Sequence, residues 1–210
     1  MANAGTVFIV DDDAAIRQSL SLLVRSAGFR PVTFSSGREF LDAARPDEPA
    51  CVLLDLRMPG ISGTEVQAIM QAERCLLPII FLSGQGDLRT AVQTVKDGAI
   101  DFLQKPDFEA TELIDLLRDA VAQHKLSMVS DQRAAALRQS LELLSDRELQ
   151  VARLAAAGEA NKLIAAHLGI SERTVEVHRG RAMRKLGLRS APELIRLGHL
   201  LTEDTRSTKP

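Results

Sequence analysis

Over the first 120 residues, short apolar runs alternate with amphipathic stretches. The runs are Val7-Phe8-Ile9-Val10, Val32-Thr33-Phe34, Cys51-Val52-Leu53-Leu54, Pro78-Ile79-Ile80-Phe81-Leu82 and Ile100-Asp101-Phe102-Leu103. The first, third and fourth are continuously apolar, as strands buried on both faces of a parallel sheet must be. Between the runs lie helical patterns. Ile16, Leu20, Leu23, Val24 and Ala27 recur at helical spacing, with Gly28 as a stop. Ser36 with Glu39, and Ser62 with Glu65, match the capping-box pattern that opens a helix. Five strands alternating with five helices predict an α/β fold, a doubly wound five-stranded parallel sheet.

Beyond about residue 108 the strand signals stop. Residues 109–141 contain no Gly or Pro and read as a final helix running into a helical linker, with Ser127 to Ser130 as the place where it would fray. Leu113, Leu116, Leu117, Ala120 and Val121 would pack on the sheet, while Leu137, Leu141 and Leu144 suit a linker contact or a dimer seam. From Ser145 onward the pattern is short helices alone. Ser145 and Glu148 form a third capping box, and Leu149, Ala152, Leu154 and Ala155 give an apolar face that stops at Gly158. A second short helix carries Leu163, Ile164 and Leu168 and ends at Gly169. Ser171 caps a third, running through Val175 and Met183 to Leu186, and Ala191 to Leu201 supply a fourth. The expected organisation is an α/β domain over 1–122, a helical linker over 123–140, an all-α four-helix domain over 141–202 and a polar tail over 203–210.

Length is compatible with two domains, since 210 residues exceed what one usually needs. Seven Phe and no Tyr or Trp imply an aliphatic core and argue against a single-strand nucleic-acid platform of stacked aromatics. The net charge of −2 hides an asymmetry: residues 1–120 hold 11 basic and 18 acidic side chains, residues 121–210 hold 15 and 10. An acidic module is thus joined to a basic one. Met1 to Thr6 carry no basic residue, and no apolar stretch approaches the roughly 20 residues of a membrane span. The expectation is a cytoplasmic protein without membrane attachment, with Cys51 and Cys75 as inert, reduced core thiols.

In an open parallel sheet, ligands collect beyond the carboxyl ends of the strands. There the chain places Asp11-Asp12-Asp13, Asp55, Ser83-Gly84 and Lys105-Pro106. Clustered carboxylates repel one another unless a cation is present, and hard oxygens that keep several waters suit Mg²⁺. A carboxylate beside Mg²⁺ can attack a phosphoryl group, with Lys105 neutralising phosphoryl charge and the Ser83 hydroxyl donating to one of its oxygens.

On these motifs, residues 5–122 resemble the receiver domain of a two-component response regulator, a flavodoxin-like fold. The resemblance rests on Val10-Asp11-Asp12-Asp13, on Leu54-Asp55-Leu56-Arg57-Met58-Pro59-Gly60 with Ser62-Gly63 following, on Leu82-Ser83-Gly84 and on Lys105-Pro106. It implies that Asp55 accepts phosphate from a sensor histidine kinase. It also implies that Asp12 binds Mg²⁺ directly, Asp11 partly through water, and that the Arg57 backbone carbonyl completes the protein ligands. Ser83 is implied as the hydroxyl switch and Phe102 as the aromatic that turns inward on activation. Gln85 falls where such domains vary and tune phosphoryl lifetime.

Between Arg173 and Arg189 six basic residues face one acid, Glu176. Preceded by a short helix and the Gly169-Ile170 turn, this basic helix fits helix-turn-helix geometry, whose second helix enters the major groove. Residues 141–200 resemble the LuxR/FixJ-type DNA-binding domain, through Leu144-Ser145-Asp146-Arg147-Glu148, Asn161-Lys162-Leu163-Ile164-Ala165, Leu168-Gly169-Ile170-Ser171, Arg173-Thr174-Val175-Glu176-Val177-His178 and Lys185-Leu186-Gly187. The resemblance implies recognition by about Glu172 to Lys185, with Thr174, Val175, His178 and Arg179 reaching bases or phosphates and Lys162 touching the backbone. Arg173, Arg181 and Lys185 add basic contacts; Glu176 and Val177 divide between groove and packing, with the core as the favoured place for Val177 and Met183.

The expected protein is a FixJ/NarL-type transcriptional regulator that dimerises on phosphorylation and binds an inverted-repeat operator, with RNA polymerase as a further partner. A Mg²⁺-dependent phosphatase is the enzymatic rival; Arg57 stands where such enzymes carry a second Asp. The other rival is a regulator whose receiver pairs without phosphate.

Overall fold

The computed structural model describes residues 4–43, 46–84, 88–105, 108–198 and 201. Gln85, Pro106 and the tail 203–210 lie outside them. The chain divides into two units, residues 1–130 and 131–210.

In the first unit the elements run β1 (Thr6–Val10), α1 (Ala14–Ser26), β2 (Arg30–Phe34), α2 (Gly37–Asp42), β3 (Ala50–Asp55), α3 (Gly63–Ala72), β4 (Ile79–Ser83), α4 (Leu88–Lys96), β5 (Asp101–Gln104) and the start of α5 (Ala110–Glu142). The strands form one sheet in the order β2-β1-β3-β4-β5, and every pairing is parallel. Alternate residues of each strand serve opposite faces, and both faces are covered. Phe8, Val10, Val52, Leu54 and Phe81 pack with Phe40 of α2 and Val66 and Met70 of α3. Val7, Ile9, Cys51, Leu53, Ile80 and Leu82 pack with Leu20 and Val24 of α1 and Leu113 and Leu117 of α5. Phe8, Phe34 and Phe40 form one aromatic cluster within the core, with Phe34 and Phe40 edge to face at 5.5 Å.

Ser62 and Glu65 form a complete capping box. At α2 the box is half made: Ser36 accepts the Glu39 N–H, but the Glu39 carboxylate accepts from Ser35, one residue too early. Cys51 is buried and its thiol pKa is pushed up to about 12 by desolvation, so it stays protonated. Cys75 departs from expectation and is only partly buried, because it follows the end of α3 rather than lying in a strand.

No fraying interrupts α5 near Ser127 to Ser130. The Ser127 hydroxyl donates to the His124 carbonyl at 2.9 Å, a local bond that the helix tolerates. His124 itself is buried and its Nδ1 accepts the N–H of Ala50, the first residue of β3, at 3.0 Å. The ring is therefore neutral, with its proton on Nε2. His124→Leu leaves a buried N–H without an acceptor, and urea unfolding should show a loss of about 1–3 kcal/mol. A loss under about 0.5 kcal/mol would count against that bond.

The second unit holds the end of α5, then α6 (Asp146–Ala156), α7 (Asn161–Leu168), α8 (Glu172–Lys185) and α9 (Ala191–Arg196). Leu141, Leu149, Val151, Ala152, Ile164, Val175, Ala182 and Leu194 make its core. Ile164 turns into that core, which leaves its neighbour Leu163, one helical step of about 100° away, 59% exposed. Gly169 closes α7 in the left-handed conformation at φ 64°, where a glycine carries no Cβ penalty.

Candidate functional site

Register brings the acidic residues together. Val10 of β1 pairs beside Leu54 of β3, so the next residues, Asp11 and Asp55, stand side by side where the winding of the sheet reverses. Ser83 ends β4 and Lys105 follows β5, and the Lys105 N–H donates to the Ser83 carbonyl at 2.6 Å. The Lys105 ammonium lies between two carboxylates, 2.5 Å from Asp11 Oδ2 and 2.7 Å from Asp55 Oδ1. Asp11 is 2% exposed, and Asp55 and Ser83 are also buried. Asp12 is exposed. The remaining oxygens are engaged by backbone: Asp11 Oδ1 accepts the Asp13 N–H, and Asp55 Oδ2 accepts the Arg57 N–H at 3.0 Å.

The electrostatics follow from burial. Desolvation raises the Asp55 pKa, opposed by its bond to Lys105, and the neighbouring charge of Asp11 adds to the rise. Desolvation also works against the Lys105 charge, but the bonds to Asp11 and Asp55 outweigh it and hold its pKa above the usual value. Two buried carboxylates on one ammonium leave a local net charge of −1. This arrangement favours a further cation. Among the described residues no group of three His, Cys, Asp or Glu side chains gathers as a metal cage. Mg²⁺ does not require one, since it binds through one or two carboxylates and keeps several waters. Asp11 and Asp55, with Asp12 next in sequence, are a donor set of that kind.

Two contacts here escaped sequence reasoning. Arg17 donates to the Asp11 carbonyl at 2.7 Å and holds the end of β1. At Gly63 a Cβ would stand 2.3 Å from the Asp55 carbonyl oxygen and 3.0 Å from the Phe81 ring. Gly63 thus lets α3 begin directly against the Asp55 backbone. Its appearance after Ser62 in the motif was the available signal.

In the second unit, α8 shows two faces. Val175 and Ala182 are buried, while Arg173, Glu176, Val177, Arg181 and Arg184 are exposed. Two expectations are therefore exchanged. Val175 is 0% exposed and cannot reach DNA, and Val177, expected in the core, is 45% exposed. The reason is helical phase: positions two apart lie about 200° apart around the axis. Met183 is partly buried. Lys185 is also corrected, because its ammonium turns back to Glu148 Oε2 at 2.6 Å and to the Leu143 carbonyl at 3.0 Å. That lysine lowers the pKa of Glu148, which is buried and also completes the α6 capping box. Arg179 donates to Asn161 Oδ1 at 2.9 Å, so α7 orients it. Thr174 bonds Ser171, Lys162 is exposed, and His178 is partly buried with Nδ1 lacking a hydrogen-bond partner.

Residues 7–118 match the family model described as response regulator receiver domain, and residues 142–197 match that of bacterial regulatory proteins, luxR family. The chain belongs to the response regulators. It joins a receiver to a LuxR-type DNA-binding domain, the architecture of transcriptional regulators. It is 41% identical to nodulation protein W of Bradyrhizobium diazoefficiens over 93% of this chain and 86% of that protein. It is 42% identical to the transcriptional regulatory protein TdiR of Thauera aromatica over 92% and 85%. Among solved structures, response regulator StyR superposes with a TM-score of 0.81 at 41% identity, covering 93% of this chain and 98% of that one. Full-length FixJ from B. japonicum gives 0.58 at 39% identity, covering 96% and 98%. No helix of the described residues is long and apolar enough to cross a membrane.

Proposed function

We propose that this response regulator accepts a phosphoryl group on Asp55 from a sensor histidine kinase and then binds duplex DNA as a dimer. The observation that carries this reading is the Lys105 ammonium bridging Asp11 and Asp55 in a buried cluster. An Asp55 oxygen attacks phosphorus, the phosphorus–nitrogen bond of the donor's phosphohistidine breaks as the new phosphorus–oxygen bond forms, and the departing imidazole takes up a proton. Lys105 is placed to follow the phosphoryl oxygens and offset their charge. Mg²⁺, held by Asp11, Asp12, Asp55 and the Arg57 carbonyl, supplies further charge neutralisation when bound.

Ser83 Oγ now donates to the Gly84 carbonyl at 3.0 Å, and a phosphoryl oxygen is a better, charged acceptor within the same strand-end cluster. Turning Ser83 inward frees space that Phe102, partly buried against the core, can follow into. The added charge of about −1.5 to −2 biases this two-state element. Pairing of two copies presents two α8 helices to an inverted repeat, with Lys162, Arg173, Thr174, His178, Arg179 and Arg181 as the DNA-facing set. RNA polymerase is the partner through which such a complex would act. The setting of these steps is the cytoplasm.

The test uses the full chain with Mg²⁺ and a small-molecule phosphodonor. Intact-protein mass spectrometry should show one added phosphoryl group on the wild type and none on Asp55→Asn. An equal gain by the variant overturns the assignment.

A further inference from the structure

Gly180 lies in the middle of α8, where glycine destabilises a helix relative to alanine. The helical glycines Gly37 and Gly63 are explained by their surroundings. A Cβ at Gly37 would meet Val66 at 2.5 Å, and one at Gly63 would meet the Asp55 carbonyl at 2.3 Å. Gly180 has no such reason. A Cβ there meets nothing within 4 Å, and its φ is not in the left-handed range. The fold of the chain would accept alanine and gain helix stability.

The position on the helix supplies the missing reason. Arg173, Glu176, Val177, Gly180, Arg181 and Arg184 are all exposed and recur at the spacing of one helical face. Gly180 sits at the centre of this stripe, one turn after Glu176 and one turn before Arg184. Three arginines around a bare stretch of backbone form a surface for a polyanion, and their mutual repulsion disfavours the same face of a second copy.

We infer that Gly180 is the point of closest approach between α8 and the major groove, a specificity-determining position whose missing side chain lets the helix backbone seat against the base edges. This rests on the reading of α8 as the helix that enters DNA. Any Cβ at residue 180 would hold the helix away from the groove and lengthen the contacts of its neighbours on the stripe, while distal arginines could still reach phosphates. Sequence-specific affinity therefore suffers more than non-specific affinity.

The test selects duplexes from a randomised library with the phosphodonor-treated full chain. Binding to a selected duplex and to a scrambled duplex of equal length is then measured at one salt concentration for wild type, Gly180→Ala and Gly180→Leu. Gly180→Ala should weaken the selected complex by about tenfold, and Gly180→Leu by more, with the scrambled complex changed by less than about threefold. The thermal midpoint of Gly180→Ala should equal or exceed that of the wild type by a few degrees. Wild-type affinity in both variants overturns the inference, as does a lowered midpoint in Gly180→Ala, which would make the glycine a need of the fold. If the wild type itself does not discriminate the two duplexes, the DNA reading fails and the inference falls with it.

Discussion

Lys105→Met is expected to destabilise the receiver unit by about 3 kcal/mol at pH 7, because removing one member of a buried ionic cluster strands the others. The Lys105 side chain is 15% exposed and its partners Asp11 and Asp55 2% and 9%, so water cannot replace the lost ammonium well. Two adjacent carboxylates would remain, and each raises the other's pKa. The sign of the pH dependence follows. Groups whose folded-state pKa exceeds the unfolded value destabilise most above the folded pKa, and the penalty is lost as pH falls through it. Burial already raises Asp55 in the intact cluster, so the deficit of the variant should shrink as pH falls from 7 toward the ordinary carboxylate range. Added Mg²⁺ should narrow the deficit at pH 7, since a cation then replaces the ammonium. Urea titrations followed by circular dichroism are the suitable measurement, as the chain has no Trp or Tyr for fluorescence. A deficit independent of both pH and Mg²⁺ would show that packing of the lysine stem, rather than charge, is what Lys105 contributes.

Gly63→Ala is expected to cost about 3 kcal/mol, the upper end for an overpacked site. The new Cβ would lie 2.3 Å from the Asp55 carbonyl, 3.0 Å from Phe81 and 3.1 Å from the Leu56 Cα. Two of these neighbours are backbone, and the Phe81 ring is fully buried, so none yields cheaply. The start of α3 must shift, and with it the Asp55–Arg57 turn whose N–H orients the Asp55 carboxylate. Phosphoryl acceptance should therefore fall at least about tenfold at pH 7, since displacements near 1 Å have effects larger than this. Unchanged stability and unchanged phosphorylation would refute the close approach. The same substitution at Gly180 carries the opposite sign for stability, which separates a glycine held by the fold from one held open for a partner.

Much of the architecture is readable without coordinates. Continuous apolar runs at Val7–Val10 and Cys51–Leu54 are short and largely β-branched or bulky, which favours strands of a sheet covered on both faces, and Ser62 and Ser145 with their paired glutamates mark helix starts through local hydrogen bonds. Asp11, Asp55, Ser83 and Lys105 were legible as a set because each stands at a strand end. In a parallel sheet all those ends point one way. The basic helix α8 was equally visible in its charge. Its phase was less so: Val175 and Val177 look alike in sequence, and only packing against α6 and α7 decides which is buried. Lys185 likewise looks like one more cation until Glu148, 37 residues earlier, is found beside it.

Short-range chemistry thus determined where strands and helices begin, which residues cap them and which charges collect in each half. Tertiary structure alone decided that Asp11 and Asp55 share one ammonium, that Gly63 touches the Asp55 backbone, that His124 serves Ala50 and that Gly180 meets nothing. The physical reason is range. Capping, periodicity and turn formation act over about four residues, whereas register and helix phase are set by apolar surfaces meeting across tens of residues.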